Sequence, residues 1–394
     1  LKKFLEKITR GILFTSSMVT SLTVLLVVFF LFREGIGIFN RNAVEEHHVI
    51  AVNPENPVRE LTSQQIMNIF NQDITSWKEV GGTDTPILLA SVDDVANQYT
   101  EEQLGAEFEH LPELIEQYIL ENPGIIIYFT DNYIKEGFRG KLVPLHKIGF
   151  AEFIFGKEWF PTAQPAGRYG VWPLIMGTLW VSIGAILLAL PIGLITAIYM
   201  SEVAKPRIRN LFKPIIELLS GIPSVVYGFF GLVVVVPLIQ KAFQLDVGET
   251  ALAGSIILAV MALPTIITIA EDALRTTPRA LKEASLALGA SHWQTIVRVV
   301  IPYAKSGIIA AVILGIGRAV GETMAVLMVT GNASVVPHTL LEPVRTIPAT
   351  IAAELGEAPF GGTHFKALFA LGIILFIITF GFNLAVEAAK SRKK

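Results

Sequence analysis

Cysteine is absent from the 394 residues, which excludes disulfides, thiolate nucleophiles and cysteine metal sites. Charge is scarce as well: Asp, Glu, Lys and Arg make up 16% of the chain, against roughly 25% in an average soluble domain. The 31 basic and 34 acidic residues nearly cancel to a formal charge of −3. A strongly basic nucleic-acid binder is thereby excluded, and so is an ordinary, wholly soluble enzyme. Disorder is excluded by the other extreme, 52% hydrophobic residues. The few charges are clustered. Residues 33–170 hold 21 of the acidic residues and 10 basic ones, a balance of −11, which leaves +8 for the remainder. Such asymmetry describes an acidic soluble insertion carried by a membrane body.

Six stretches reach the roughly 20 apolar residues that a helix needs to cross a hydrocarbon core: 12–32, 174–200, 212–240, 251–270, 304–330 and 367–386. Membrane lipids are the expected solvent for them. Ile12 to Phe32 is too long for the apolar part of a signal peptide and no A-x-A site follows, so it reads as a retained anchor. Pro191, Pro223, Pro237 and Pro264 interrupt inner stretches, as neighbouring helices or a water-filled path permit. Orientation follows from Lys and Arg in the short loops. With the N-terminus in the cytoplasm, the inner loops 1–11, 201–213, 271–305 and the tail after Val386 carry seventeen, and the outer loops 241–250 and 331–366 carry three. Both termini are expected inside and residues 33–170 outside.

The loop 271–305 has the clearest local grammar. Thr277 is an expected N-cap with Pro278 in the first helical position, and Gly289 stops the helix begun at Arg279. Ser291 and Gln294 form a capping box for a second short helix that is expected to end at Ile301-Pro302. The product is a helical elbow bearing small residues, suited to a partner's groove. The run Glu283-Ala284-Ser285, three residues, Gly289, nine residues, Val299-Val300-Ile301-Pro302 resembles the EAA loop of ABC importer permeases. Ser285 replaces the usual Ala, Val299 the usual Ile and Ile301 the usual Leu.

Two further runs narrow the resemblance. Glu217 to Gly228, with Ser220-Gly-Ile-Pro-Ser224 at its centre, and Gly317-Arg-Ala-Val-Gly-Glu-Thr-Met-Ala325 are similar to the signatures of phosphate importer permeases. Phe155-Gly-Lys-Glu-Trp159 resembles the PstC-type subunit. The resemblance covers about 155–390. It implies an all-α polytopic membrane protein with six transmembrane helices of the ABC importer permease (MetI-like) type, here with an inserted small α/β extracytoplasmic domain. It also implies partners: a second, PstA-type permease subunit, cytoplasmic ATPase subunits that receive Glu283, Ala284, Ser285 and Gly289, and an extracytoplasmic phosphate-binding protein. Phosphate is the implied cargo. No nucleic acid, cofactor or metal is expected.

Within the spans, Arg318 and Glu322 stand four apart, one turn on a continuous helix. An Arg at the helix centre costs about 2.5–3.5 kcal/mol on insertion scales, so its face must meet the bundle interior or water. Gly317 and Gly321 have the spacing that admits a close helix neighbour. The guanidinium offers a fixed charge and a planar fork suited to an oxyanion, and Glu322 is expected to hold it when the path is empty. Thr323 adds a hydroxyl beside them. The break at Pro223 is expected either to expose the Ser224 and Tyr227 hydroxyls to the passage or simply to kink the span. The same residues leave open another oxyanion (sulfate, molybdate or tungstate), or a membrane sensor of the binding protein that moves no cargo.

Three divisions are expected: 1–32, tail and first span; 33–170, the extracytoplasmic insertion; 171–394, the permease core. In the insertion, Val49–Val52 and Gly124–Phe129 read as strands, Ser63–Phe70 and Pro112–Leu120 as helices. Leu61 to Trp77 with Gly81-Gly82, and Asn122 to Tyr128, resemble periplasmic phosphate-binding proteins. Where that family carries a Ser-Gly-Thr anion loop, this chain has Leu88-Leu-Ala-Ser-Val-Asp-Asp-Val95, and Asp93 and Asp94 would repel phosphate. The insertion is expected to be a partial binding-protein fold that holds no phosphate. His47-His48 is a poor metal spacing, and Gly140-Lys141 and Gly156-Lys157 lack a P-loop context. Trp159, Trp172 and Trp180 are expected interface anchors, and a short helix is expected from Ala349 to Leu355.

Overall fold

The computed structural model describes residues 2–44, 47–105 and 107–391. They fall into two compact units, Leu1–Gly170 with Glu357–Ala370, and Val171–Gly356 with Leu371–Lys394. Among the described residues, five helices are long and apolar enough to cross a membrane: Thr9–Asn40, Trp172–Val203, Ser224–Phe243, Ala251–Arg275 and Thr363–Ala388. A sixth is counted if His292–Tyr303 and Lys305–Gly321, bent by 70° at their junction, form one span.

The first unit contains a four-stranded sheet built from β1 (His48–Val52), β2 (Leu88–Ala90), β3 (Ile125–Thr130) and β4 (Lys141–Leu142). Its order is β2-β3-β1-β4, with β2 parallel to β3 and β1 antiparallel to both β3 and β4. Ala51, Ala90, Ile125, Ile127 and Phe129 from the strands meet Ile115 and Ile119 from the helix Leu111–Glu121 in a buried core. Ile115 and Ile119 stand four apart, which puts both on the face the helix lays on the sheet. The helix Ser63–Phe70 starts at a Thr62–Gln65 capping box. Every strand and helix expected in the insertion lies within a residue or two of an observed one. Trp159 is different. It is fully buried in a two-stranded ribbon, β5 (Trp159–Phe160) with β6 (Arg168–Tyr169), edge-on to Tyr169. A fully buried indole cannot anchor at a membrane surface.

The second unit is organised around Ala251–Arg275, which packs along Trp172–Ile198 on one side and Lys305–Gly321 on the other. Pro191 and Pro264 sit inside helices that continue through them. Small residues set the spacing: an added Cβ on Gly193 or Gly315 would lie 2.8 or 2.7 Å from Ile266. Among the described residues no helix makes the expected approach at Gly317 and Gly321, where a Cβ on either would meet nothing within 4 Å. The close approach falls at Gly315 because Gly315, not Gly317, is turned toward Ile266.

Two expected spans are divided. The stretch 212–240 begins inside an amphipathic helix, Pro206–Ser220, that carries Arg207, Arg209, Lys213 and Glu217. The membrane helix itself starts at Ser224. Pro223 has no N–H to donate and biases Ile222 away from helical backbone, so the two helices part at Gly221–Pro223. The stretch 304–330 divides after Gly321. Glu322 takes extended backbone, φ −72° and ψ 136°, and a short helix, Met324–Val329, follows. The expected helix at Ala349–Leu355 is present as Ile347–Glu354.

Candidate functional site

The break after Gly321 gives Arg318 its setting. Arg318 lies in the last turn of Lys305–Gly321, where a cation is favoured by the unpaired carbonyls of the helix end. The side chain is half-buried, and Nη1 donates to Thr265 Oγ1 of the central helix at 3.4 Å. That bond is long, at the weak limit of hydrogen bonding. Among the described residues no carboxylate lies within ion-pair distance of Arg318, and the expected pairing with Glu322 is absent. The reason is the chain path. A four-residue spacing brings side chains together only on a continuous helix, and the helix ends at Gly321 while Glu322 is extended. Glu322 and Thr323 are both half-buried in the link, with Thr323 Oγ1 donating to the Gly321 carbonyl at 3.3 Å. The bundle therefore contains a cation whose only hydrogen-bond partner within the described chain is a neutral hydroxyl.

Ser224 and Tyr227 differ from each other. Ser224 is half-buried in the first position of its helix. Tyr227 is buried and its hydroxyl donates to the Leu219 carbonyl at 2.8 Å. The tyrosine thus adds a second donor to a carbonyl at the end of Pro206–Ser220 that also accepts from Ile222 N at 3.3 Å, and fastens that helix to the following span. Its proton is not available to a passing anion.

The elbow folds much as its sequence predicts. Its first arm is Arg279–Ala287, ended by Gly289 with φ +86°, a left-handed conformation that glycine adopts without steric cost. Its second arm starts at His292 behind the Ser291–Gln294 capping box and runs on through Val300 to Tyr303, one residue past the expected stop at Ile301-Pro302. Thr277 is not the N-cap: Pro278 occupies that position and Thr277 is buried. Glu283 and Ala284 are exposed, Ser285 is half-buried with Oγ 3.0 Å from Thr295 Oγ1, and Leu281, Leu286, Leu288 and Trp293 stand out into solvent. Leu288, 90% exposed, is the most prominent. The tip thus leaves leucine and tryptophan exposed over small residues.

Sequence reasoning missed the ion pairs beneath this elbow, because their partners are about 60 to 80 residues apart. Glu271, 1% exposed, receives Arg209 Nε at 2.7 Å and Lys213 Nζ at 3.1 Å, and Lys213 also reaches Asp272 at 2.9 Å. Burial works against the Lys213 charge, but the hydrogen bonds to Asp272 and Glu271 outweigh it and hold its pKa above the ordinary lysine value. Glu202, at the end of the span that starts at Trp172, receives Lys282 Nζ at 2.8 Å on each carboxylate oxygen. The signal available in the sequence was acid at the end of a long apolar run: Glu202 after 174–200, and Glu271 with Asp272 after 251–270.

In the α/β unit, the segment in the place of the anion loop caps itself. Ser91 N and Oγ both donate to Asp94 Oδ2, at 2.8 and 2.7 Å, while Asp94 N donates to Ser91 Oγ. These bonds hold the Asp94 carboxyl below the ordinary carboxylate value. His47 and His48 diverge, His47 toward Asp131 and His48 stacked on Tyr128.

Comparison with known proteins follows the same division of the chain. The profile of the family described as binding-protein-dependent transport system inner membrane component matches residues 189–393, and that of the PBP superfamily domain matches 12–148. A probable ABC transporter permease protein, YqgH, of Bacillus subtilis is 42% identical over 243 residues, 62% of this chain and 78% of the relative. The phosphate transport system permease protein PstC of Mesorhizobium japonicum is 38% identical over 262 residues, 62% of this chain and 79% of the relative. Among solved structures, a chain of the inward-facing MetNI methionine ABC transporter matches 56% of this chain and 95% of its own length, at 20% identity and a TM-score of 0.43.

Proposed function

The chain belongs to the family of binding-protein-dependent transport system inner membrane components, and from that premise we propose that it is one permease half of an ATP-driven importer of inorganic phosphate. The observation that carries the cargo assignment is Arg318, a fixed cation set among the spans and, among the described residues, hydrogen-bonded only to the Thr265 hydroxyl. Stripping water from a phosphate dianion in a low-dielectric path is prohibitive without a compensating charge. A guanidinium supplies that charge and a donor fork, and a single cation binds weakly enough to let the anion leave. Ser224, Glu322 and Thr323 are placed on the path as its further polar groups. Relatives whose names specify phosphate transport support the reading.

The topology that fits this role has both termini in the cytoplasm and residues 33–170 outside. The crossing after the elbow is then Lys305–Gly321 continued by Met324–Val329, since 17 residues alone reach about 25 Å, short of the roughly 30 Å hydrocarbon core. Irregular backbone at that depth is tolerated where it lines a path or is buried in protein. The elbow faces the cytoplasm and inserts Glu283, Ala284, Ser285 and Gly289, with the exposed leucines, into an ATPase subunit. The chain itself hydrolyses no ATP, and nucleotide binding biases the two access states by engaging them differently. A PstA-type permease completes the passage. The α/β unit, its capping segment already satisfied by Asp94, receives the phosphate-binding protein instead of holding phosphate.

The test is uptake in liposomes by the complex assembled from this chain, a second permease, the ATPase and the binding protein. Arg318→Gln abolishes ATP-dependent phosphate uptake while the complex still assembles. Uptake at the parental rate in that variant overturns the cargo assignment, and competition by sulfate, molybdate or tungstate as strong as by phosphate overturns the choice of oxyanion.

A further inference from the structure

Resting on that reading, we propose that Glu202 is the joint through which the elbow drives the membrane helices. It is a positioning residue, and it acts through a fixed attachment and not through cargo. The span that begins at Trp172 leaves regular α-helix at Tyr199–Val203, a π-turn of the kind found disproportionately at functional sites. Glu202 lies in that turn with its side chain 5% exposed. Lys282 Nζ, one residue before Glu283 on the first arm, reaches both carboxylate oxygens at 2.8 Å, and Ser201 Oγ donates to Oε1 at 2.7 Å. The Glu202 carbonyl faces His292 Nε2, at the start of the second arm, at 3.2 Å. One residue at the end of one span therefore fastens both arms, and the Ser285–Thr295 hydroxyl contact ties the arms to each other.

A turn fastened at two points on two elements cannot swivel as it could on one. Any displacement forced on the elbow reaches Trp172–Ile198 directly. That helix packs along both Ala251–Arg275 and Lys305–Gly321, the helices carrying Thr265 and Arg318. The Glu271 cluster makes the opposite attachment. Two of its cations, Arg209 and Lys213, come from Pro206–Ser220 and the third, Arg275, from the helix of Glu271 itself, so it clamps the amphipathic helix and not the elbow. Removing one cluster separates force transfer from simple docking of surface helices.

The experiment measures phosphate accumulated per ATP hydrolysed by the assembled transporter in liposomes. Glu202→Gln keeps the ATPase attached and hydrolysing, and lowers the ratio at least tenfold. Arg209→Gln leaves the ratio within twofold of the parent whatever it does to the yield of complex. Because the chain has no cysteine, Glu202→Cys with Lys282→Cys supplies its only two thiols, and a short bifunctional thiol linker re-creates the tether covalently. Linking restores the ratio that the double variant loses. An unchanged ratio in Glu202→Gln, an equal fall in Arg209→Gln, or a loss that linking leaves in place overturns the joint. A parental chain that neither retains an ATPase nor moves phosphate overturns the proposed function instead.

Discussion

Thr265→Glu tests whether the net charge at Arg318, and not the shape of the passage, sustains transport. Thr265 Oγ1 is 3.4 Å from Arg318 Nη1, and a glutamate side chain extends two heavy atoms further, enough to place a carboxylate against the guanidinium. At about 4 Å and an effective dielectric constant near 20, two unit charges attract by about 4 kcal/mol. At 1.4 kcal/mol per tenfold, a phosphate that must displace this built-in anion is disfavoured by roughly two to three powers of ten. Thr265→Gln introduces the same bulk without the charge. The expected outcome is loss of phosphate uptake in the Glu variant and uptake within a few-fold of the parent in the Gln variant, both with normal assembly in liposomes. Equal uptake by the two variants refutes the electrostatic argument, because it means that the cation does not meet the cargo.

Three other outcomes are expected. Glu271→Gln costs about 3 kcal/mol, the low end for breaking a buried pair because Arg209 and Lys213 can turn to water; amide exchange in Pro206–Ser220 then quickens about a hundredfold while Trp172–Ile198 stays protected. Gly315→Ala places a methyl 2.7 Å from Ile266 Cγ1 and lowers the thermal midpoint by an amount equivalent to about 1–3 kcal/mol; Ile266→Ala in the same chain recovers part of that loss, so the two effects are not additive. Ser91→Ala removes the hydroxyl bond that does most to lower the Asp94 pKa below its ordinary 3.8, and leaves the backbone N–H bond of residue 91 in place. A carboxyl lowered in the folded chain adds stability that is present above its unfolded pKa and vanishes as pH falls through its folded one. Melting of parent and variant therefore differs at neutral pH and converges on acidification through the carboxylate range.

How much of this was legible in the sequence depends on whether a feature is local. The apolar length of 174–200 and 251–270, the Ser291–Gln294 box and the glycine stop at 289 each rest on a few adjacent residues, and each is present in the structure. The α/β unit was readable for the same reason: a short apolar, β-branched run in Val49–Val52, and a short amphipathic run in Ser63–Phe70. What failed was inference across a break. Hydropathy is blind to where a backbone stops being helical, so 304–330 reads as one span although Glu322 is extended. The Arg318–Glu322 pair was a corollary of that continuity and fell with it, whereas the close approach falls at Gly315 because the rotation of an unbroken helix turns that glycine toward Ile266. The ion pairs at Glu202 and Glu271 were out of reach in a different way, since no spacing rule links residues 80 or 62 positions apart. An acid that closes a long apolar helix still carries information: burying it unpaired is costly enough that a cation must reach it from elsewhere in the fold. The elbow and the amphipathic helix supply those cations, Lys282 and Arg209. The cost of burying the two acids therefore sets where each surface helix attaches to the spans.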